Sequence, residues 1–317
     1  ATLNVATLNN SATGVIQSAN NLAINISGNT LSNAGGILAE NDLALTSTGS
    51  GLNVSNHGNL QAGAALTMAG NAVVLSNNAA AKVLADQLTL TLSSLNNAGT
   101  IQGGTAASTL NVAGTVSNQG TLTLANAAAG TGTINADRIN NSGTLQSQGA
   151  ATLNVATELN NSGKLLTQGA LTVRGSDSHY TVHNDGRMQS NGLLDVAGLA
   201  GGQGVNINIL TGGVMLGDSL KISADALSIS DNAMLSSAGN MNVAADSLSF
   251  GGTRSRIVAA NSGSGLASIT LANSFSNIGA IHSGDSMDFK APSISNTSSG
   301  GFSALNTLTV EARSGDL

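Results

Sequence analysis

The residues best equipped for chemistry crowd into one segment, Arg174 to Arg187, which reads RGSDSHYTVHNDGR. It holds two of the four histidines, His179 and His183, the only tyrosine, Tyr180, the carboxylates Asp177 and Asp185, and an arginine at each end. A His-x-x-x-His pair brings both imidazoles to one metal only on a helix, and this segment has no helical period. Arg174, His179, Tyr180, His183 and Arg187 are therefore candidates for a partner-binding surface loop. The plainer alternative is a solvated loop that lengthens one turn of a repeat.

Acid and base catalysis would need carboxylates converging on one face, as a proton-transfer pair or as calcium ligands beside a basic residue. Asp218, Asp225, Asp231 and Asp246 lie close in sequence, and repeat register places Asp225 and Asp246 as neighbours, with no arginine or histidine near them. Arg254 and Arg256 form a second basic pair, suited to an anionic glycan or a phosphate. His282, Asp285 and Asp288 are spread around a turn and read as solvated. The expectation is that the chain is not an enzyme and holds no metal or cofactor.

What must position these residues is a repeat. The phrase apolar-Asn-Asn-x-Gly recurs, best seen as INNSG at 139 and LNNSG at 159. Counted from the apolar residue, units begin at Leu8, Leu31, Val54, Leu75, Leu95, Val116, Ile139, Leu159 and Val182. They continue less regularly at Ile209, Ile229, Phe250, Phe275 and Ile294. The spacing is about 22 residues over fourteen units, and such a period marks a solenoid. Two positions past each start stand Asn10, Asn33, Asn56, Asn77, Asn97, Asn118, Asn141, Asn161 and Asn184. Two further on stands a glycine in most units, as at Gly35, Gly58, Gly120 and Gly143.

Each unit closes on a short alternation, such as Leu153-Asn154-Val155 or Leu171-Thr172-Val173. Period-two alternation of Leu and Val against Asn and Thr is a half-buried strand, and no apolar stripe of helical spacing is present. Asn-x-Gly between strands supplies a corner, since both residues accept positive φ. One such unit cannot bury its apolar side alone, whereas stacked copies do, each strand pairing in parallel with its copy one turn along. The expected fold is thus all-β, a parallel β-helix of about 14 coils running through 1–317, regular over 1–204 and less so over 205–317. At about 4.8 Å per turn this makes a rod on the order of 65–70 Å long, with the asparagines stacked as an amide ladder.

Composition agrees. Among 317 residues only 8% are charged and 2% aromatic, with 40 Gly, one Pro and no Cys, while 41% are hydrophobic. Disorder goes with high charge and low hydrophobicity, so this chain can bury a core of small aliphatic side chains. With net charge −6, no basic patch and four Phe, all beyond residue 249, nucleic-acid binding is not expected. No apolar run is long enough to span a membrane. The absence of Cys removes disulfides and thiolate metal sites.

The phrase L-N-N-S-G-x-L-x-x-x-G-x-L-x-V, at 159–173 and in variant form at 139–155, resembles the haemagglutinin repeats of filamentous haemagglutinin and of contact-dependent-inhibition exoproteins. That resemblance implies a right-handed β-helix within a very long fibre, secreted to the surface of a Gram-negative bacterium by a two-partner system. It implies an outer-membrane transporter as partner, engaged through an N-terminal domain not seen in this sequence. It also implies a host or bacterial receptor or glycan as target, with toxin modules at the far end in inhibition systems. The chain is then expected to be interior shaft.

Overall fold

The computed structural model describes residues 1–176, 179–198 and 204–313, and all regular structure among them is β-strand. Parallel strands stack as a β-solenoid of about 14 turns spaced about 21 residues apart. The chain divides into two compact units, Ala1–Asn154 and Val155–Leu317.

In the first unit each coil carries three strand segments. One follows the corner, as in Gly36–Ala39, which pairs with Asn59–Ala62, itself paired with Lys82–Leu84. A second carries the Leu-x-Leu alternation, as in Leu43–Ser47 beside Ala65–Gly70. The third ends on the ladder asparagine, as in Leu52–Asn56 beside Val73–Asn77. In some coils the second and third join in one strand with a register shift, as between Val112 and Thr115 in Ser108–Asn118. The apolar unit starts lie directly above one another: Leu31 opposes Val54, Val54 opposes Leu75, and Leu95 opposes Val116.

Alternation explains the packing. Side chains at every second position turn inward, so Leu43, Leu45, Leu66 and Met68 are buried while Ala44 and Thr67 face out. Burying each such Leu stabilises the coil by about 1.5–3 kcal/mol relative to leaving it in water. That gain exists only when coils above and below are present, so the fold is cooperative between neighbouring turns.

In the second unit the coils keep this pattern, but the register differs from the one expected from sequence. Val182 opposes Ile207, Ile207 opposes Leu227, and Leu227 opposes Leu248. The starts at Ile209, Ile229 and Phe250 are thus each two residues late. Apolar residues stand at both members of each pair, 207 and 209, 227 and 229, 248 and 250, and period two cannot tell them apart. Further along, Phe250, Phe275, Phe289 and Phe302 pack ring against ring, with centroids 5.0–6.3 Å apart.

Candidate functional site

The nine asparagines are buried, and their amides stack within each unit. In the first unit Nδ2 of Asn10 donates to Oδ1 of Asn33 at 2.8 Å, and the same bond recurs from Asn33 to Asn56, Asn56 to Asn77, Asn77 to Asn97, and Asn97 to Asn118. Asn118 donates to Asn141 at 2.7 Å. In the second unit Asn161 donates to Asn184 at 2.6 Å. The amide nitrogen of each of these donors also lies near a backbone carbonyl across the corner, as from Asn56 to Lys82 O at 3.0 Å and from Asn161 to Arg187 O at 3.2 Å. A side chain with one acceptor and two donors thus ties its own corner to the next coil's strand entry.

Above Asn184 the column turns apolar. Asn184 opposes Ile209, Ile209 opposes Ile229, and Ile229 opposes Phe250, all three buried. Asn277 and Asn296 resume it with a 2.8 Å amide bond. The corners in between are closed by other means: Ser255 Oγ lies 2.9 and 3.0 Å from the carbonyls of Ile229 and Ser230.

The Arg174–Arg187 segment is for the most part strand rather than surface loop. Arg174 belongs to Leu171–Gly175, and Tyr180 and His183 to Tyr180–Asn184; Asp177 lies outside the described residues. Tyr180, expected at the surface, is buried at 2% exposure, its hydroxyl 3.0 Å from the Ala197 carbonyl. The alternation decides this: Tyr180, Val182 and Asn184 share the inward parity. Burial pushes the Tyr180 phenol well above its ordinary pKa; the nearby Arg174 charge works the other way and Asp195 adds to the rise.

Arg174 does not face outward for a partner. It donates to the Asp195 carboxylate at 2.5 Å and to the carbonyls of Val173 and Asp195 at 3.0 and 3.1 Å, with Asp195 almost wholly buried. Pairing of Thr172 with Asp195 and of Arg174 with Ala197 brings them together, and Asp195 carried no mark in the sequence beyond being the middle residue of Leu194-Asp195-Val196. Arg187 donates to Gln189 at 2.8 Å. His183 lies 3.6 Å from Glu158, and His179, largely exposed, lies 3.6 Å from Asp225.

That last contact corrects the expectation that no histidine stands near Asp225. Register also sets Asp225 opposite Asp246, between the pairs Ala224–Ala245 and Ala226–Ser247. Asp225 accepts a 2.7 Å bond from the Gly204 amide, so it is already engaged. Arg254, read as a pair with Arg256 for an anion, instead clamps Asp231 through Nε and Nη2 at 3.0 and 2.6 Å. These bonds, with one from the Arg254 backbone amide, hold the Asp231 carboxyl below the usual carboxylate range. Asp285 is likewise held down, by the Gly265 amide and then the Asn306 side chain. His282 contacts Ser303 at 2.9 Å, and Asp288 contacts Lys290 at 2.9 Å. Among the described residues no three His, Cys, Asp or Glu side chains gather as a metal cage.

Residues 127–178 match the haemagglutinin repeat. This match covers both copies of the quoted phrase and is consistent with the filamentous haemagglutinin family. Comparison with curated proteins and with solved structures returned no significant match.

Within the haemagglutinin-repeat segment, and in the coils around it, the corner glycine has a different reason from the one composition suggests. None of Gly35, Gly58, Gly120, Gly143 or Gly186 has a left-handed φ, and neither do the ladder asparagines. A Cβ built on Gly143 would instead lie 2.2 Å from the carbonyl oxygen of Gly120, and one on Gly120 would lie 2.1 Å from that of Gly99. These carbonyls accept the strand-entry amides of the next coil, Gly120 O from Thr144 N at 2.8 Å and Gly99 O from Thr121 N at 2.9 Å. Glycine is required because coils approach closely at the corner.

Proposed function

We propose that this chain is an interior shaft segment of a large secreted bacterial exoprotein, adhesin or contact-dependent inhibition type, exported by a two-partner system and acting as a spacer between the cell surface and distal modules. The haemagglutinin repeat and the β-solenoid support a filamentous, adhesin-type shaft. The observation that carries the reading is the amide ladder: the recurring asparagines point inward and bond to each other, so the repeat specifies a scaffold rather than a surface. Tyr180 and Arg174, the strongest candidates for a binding loop, are likewise used inside the fold. The role proposed is therefore structural rather than catalytic, and the transporter and receptor belong to other parts of the fibre.

Removing one whole coil from the complete exoprotein tests this. Deletion of residues 98–118 joins Asn97 to the residue that follows its ladder partner, and should leave export and target binding intact while shortening the fibre by about 4.8 Å. Deleting half a coil breaks the register and should abolish export or stability. Loss of target binding by an exported fibre lacking only whole coils would place the binding surface on this segment instead.

A further inference from the structure

The outward face of the Leu-x-Leu strands differs sharply between the two units. In the first, register aligns Thr67, Thr89, Thr109 and Thr133 in one outward column, with Ala44 and Ala23 continuing it. The column beside it holds Asn4, Asn25 and Thr46 at one end and Thr91, Asn111 and Asn135 at the other. Over seven coils every position in both columns is Thr, Ala or Asn, half-exposed or exposed. Residues 1–154 hold only Glu40, Asp42, Lys82, Asp86, Asp137 and Arg138 as charged groups, and none lies in these columns. The column of the second unit that matches the Asn column carries Asp195, Lys221 and Asp288, and Arg174, Lys290 and Glu311 stand in the column next to it.

A solvated sheet face normally displays charge, which keeps sheets from packing on one another. Here small side chains make the face flat. The asparagines are already partly satisfied along the column, Asn25 donating to Asn4 at 2.7 Å, Asn135 to Asn111 at 2.6 Å and Asn154 to Asn135 at 2.7 Å. Covering them therefore costs less than burying lone amides, and the threonine methyls supply apolar contact.

From this contrast we infer that the Thr/Asn face of residues 1–154 is a lateral interface, and that its occupant is the same face of a second copy of this chain. A charged partner would have to lose its hydration against a surface with no counter-charge. A face whose groups repeat every ~4.8 Å is met in step by another stack of the same period, as in the interdigitated sheets of steric zippers. Seven coils of five-residue strands span about 30 by 16 Å, so two faces bury roughly 1,000 Å² in total, in the range of weak specific association. The symmetric arrangement is two-fold, the same patch on both copies.

Sedimentation equilibrium of the 317-residue chain tests the inference. The mass should rise from 31.0 kDa toward twice that value with concentration. Replacing Thr89 and Thr109 with Lys should keep the β circular dichroism and the melting temperature yet hold the chain at monomer mass, while Ser268→Lys on the second unit should associate as wild type does. Because the chain has no Cys, Thr67→Cys, at the fourth of the seven coils, should form an intermolecular disulfide well above a Thr121→Cys control on a different strand. Monomer mass at every concentration overturns the inference, as does association undiminished by the lysines or a Thr67→Cys yield no higher than the control.

Discussion

Asn56 and Asn77 stand one coil apart and are joined by a 2.8 Å bond from the Nδ2 of the first to the Oδ1 of the second, both side chains buried. Asn56 also receives the amide of Asn33 and donates to the Lys82 carbonyl. One side chain therefore serves three coils. Replacing it with Leu should remove the side-chain acceptor of Asn33 and the side-chain donor to Asn77 Oδ1 and Lys82 O, for a loss of about 2–4 kcal/mol. Asn208→Leu, at a half-buried position where the side chain only approaches His183 at 3.4 Å, should cost less than about 0.5 kcal/mol. Thermal unfolding of the two variants decides the point, and equal small losses would rule the ladder out as a source of stability.

Glycine substitutions separate close approach from backbone conformation. Gly58→Ala would put Cβ 2.0 Å from the Gly35 carbonyl and should destabilise by about 1–3 kcal/mol through forced backbone movement. Gly212 has nothing within 4 Å but a φ of 82°, so Gly212→Ala should cost on the order of 1 kcal/mol and Gly212→Asn less. Gly301, with open space and no left-handed φ, should accept Ala without loss. Chemical denaturation ranks the series.

The single tyrosine makes an alkaline titration specific to one residue. An exposed phenol ionises near pH 10, yet Tyr180 is held neutral beyond that by burial. Folded protein should show no phenolate absorbance at pH values where an unfolded control is half ionised. Above about pH 10 the unfolded chain releases this proton and the folded chain keeps it, so stability should fall as pH rises. A phenolate signal appearing at the ordinary pH while the protein is still folded would show that Tyr180 reaches solvent.

Acid acts at a different corner. The Asp231 carboxyl is held down by the Arg254 guanidinium and amide, so this contact is present above the ordinary carboxylate pKa and lost as pH falls through the lowered value. Arg254→Ala should move the Asp231 titration upward, seen by carboxyl NMR, and added salt should shift the wild type the same way. An unchanged titration in Arg254→Ala would show that the pair does not persist in solution.

Breaking the Arg174–Asp195 pair should be costlier, because Asp195 is almost wholly buried and Arg174 largely so. Asp195→Ala leaves the guanidinium with only carbonyl acceptors and should cost about 3 kcal/mol in a denaturation experiment. Arg174 and Asp195 replaced together by Leu and Ala should recover part of that loss, and failure to recover any would show that the cost does not come from the orphaned charge.

The strands, their parallel stacking and the column of corner asparagines were legible in the chain, because each is a local pattern repeated until no other periodicity fits: Leu153-Asn154-Val155 needs no neighbour to read as a half-buried strand, and the Asn-x-Gly corner recurs in step with it. That the asparagines turn inward came from the fold. Register beyond Asn184 was not legible, since Ile207 and Ile209 are equally good inward residues and only pairing with Val182 and Asn184 chooses between them. Nor was the role of the glycines, which depends on a carbonyl one coil away rather than on the residue's own φ. Polar residues far apart in sequence were joined only by folding: Arg174 with Asp195, His179 with Asp225 and Arg254 with Asp231 are separated by about one coil or two, a distance along the chain that stacking converts to one or two strand spacings. Local alternation thus determined what each residue faces, while the tertiary stack alone decided which residues meet, because lateral neighbours in a solenoid are set by the register of whole turns.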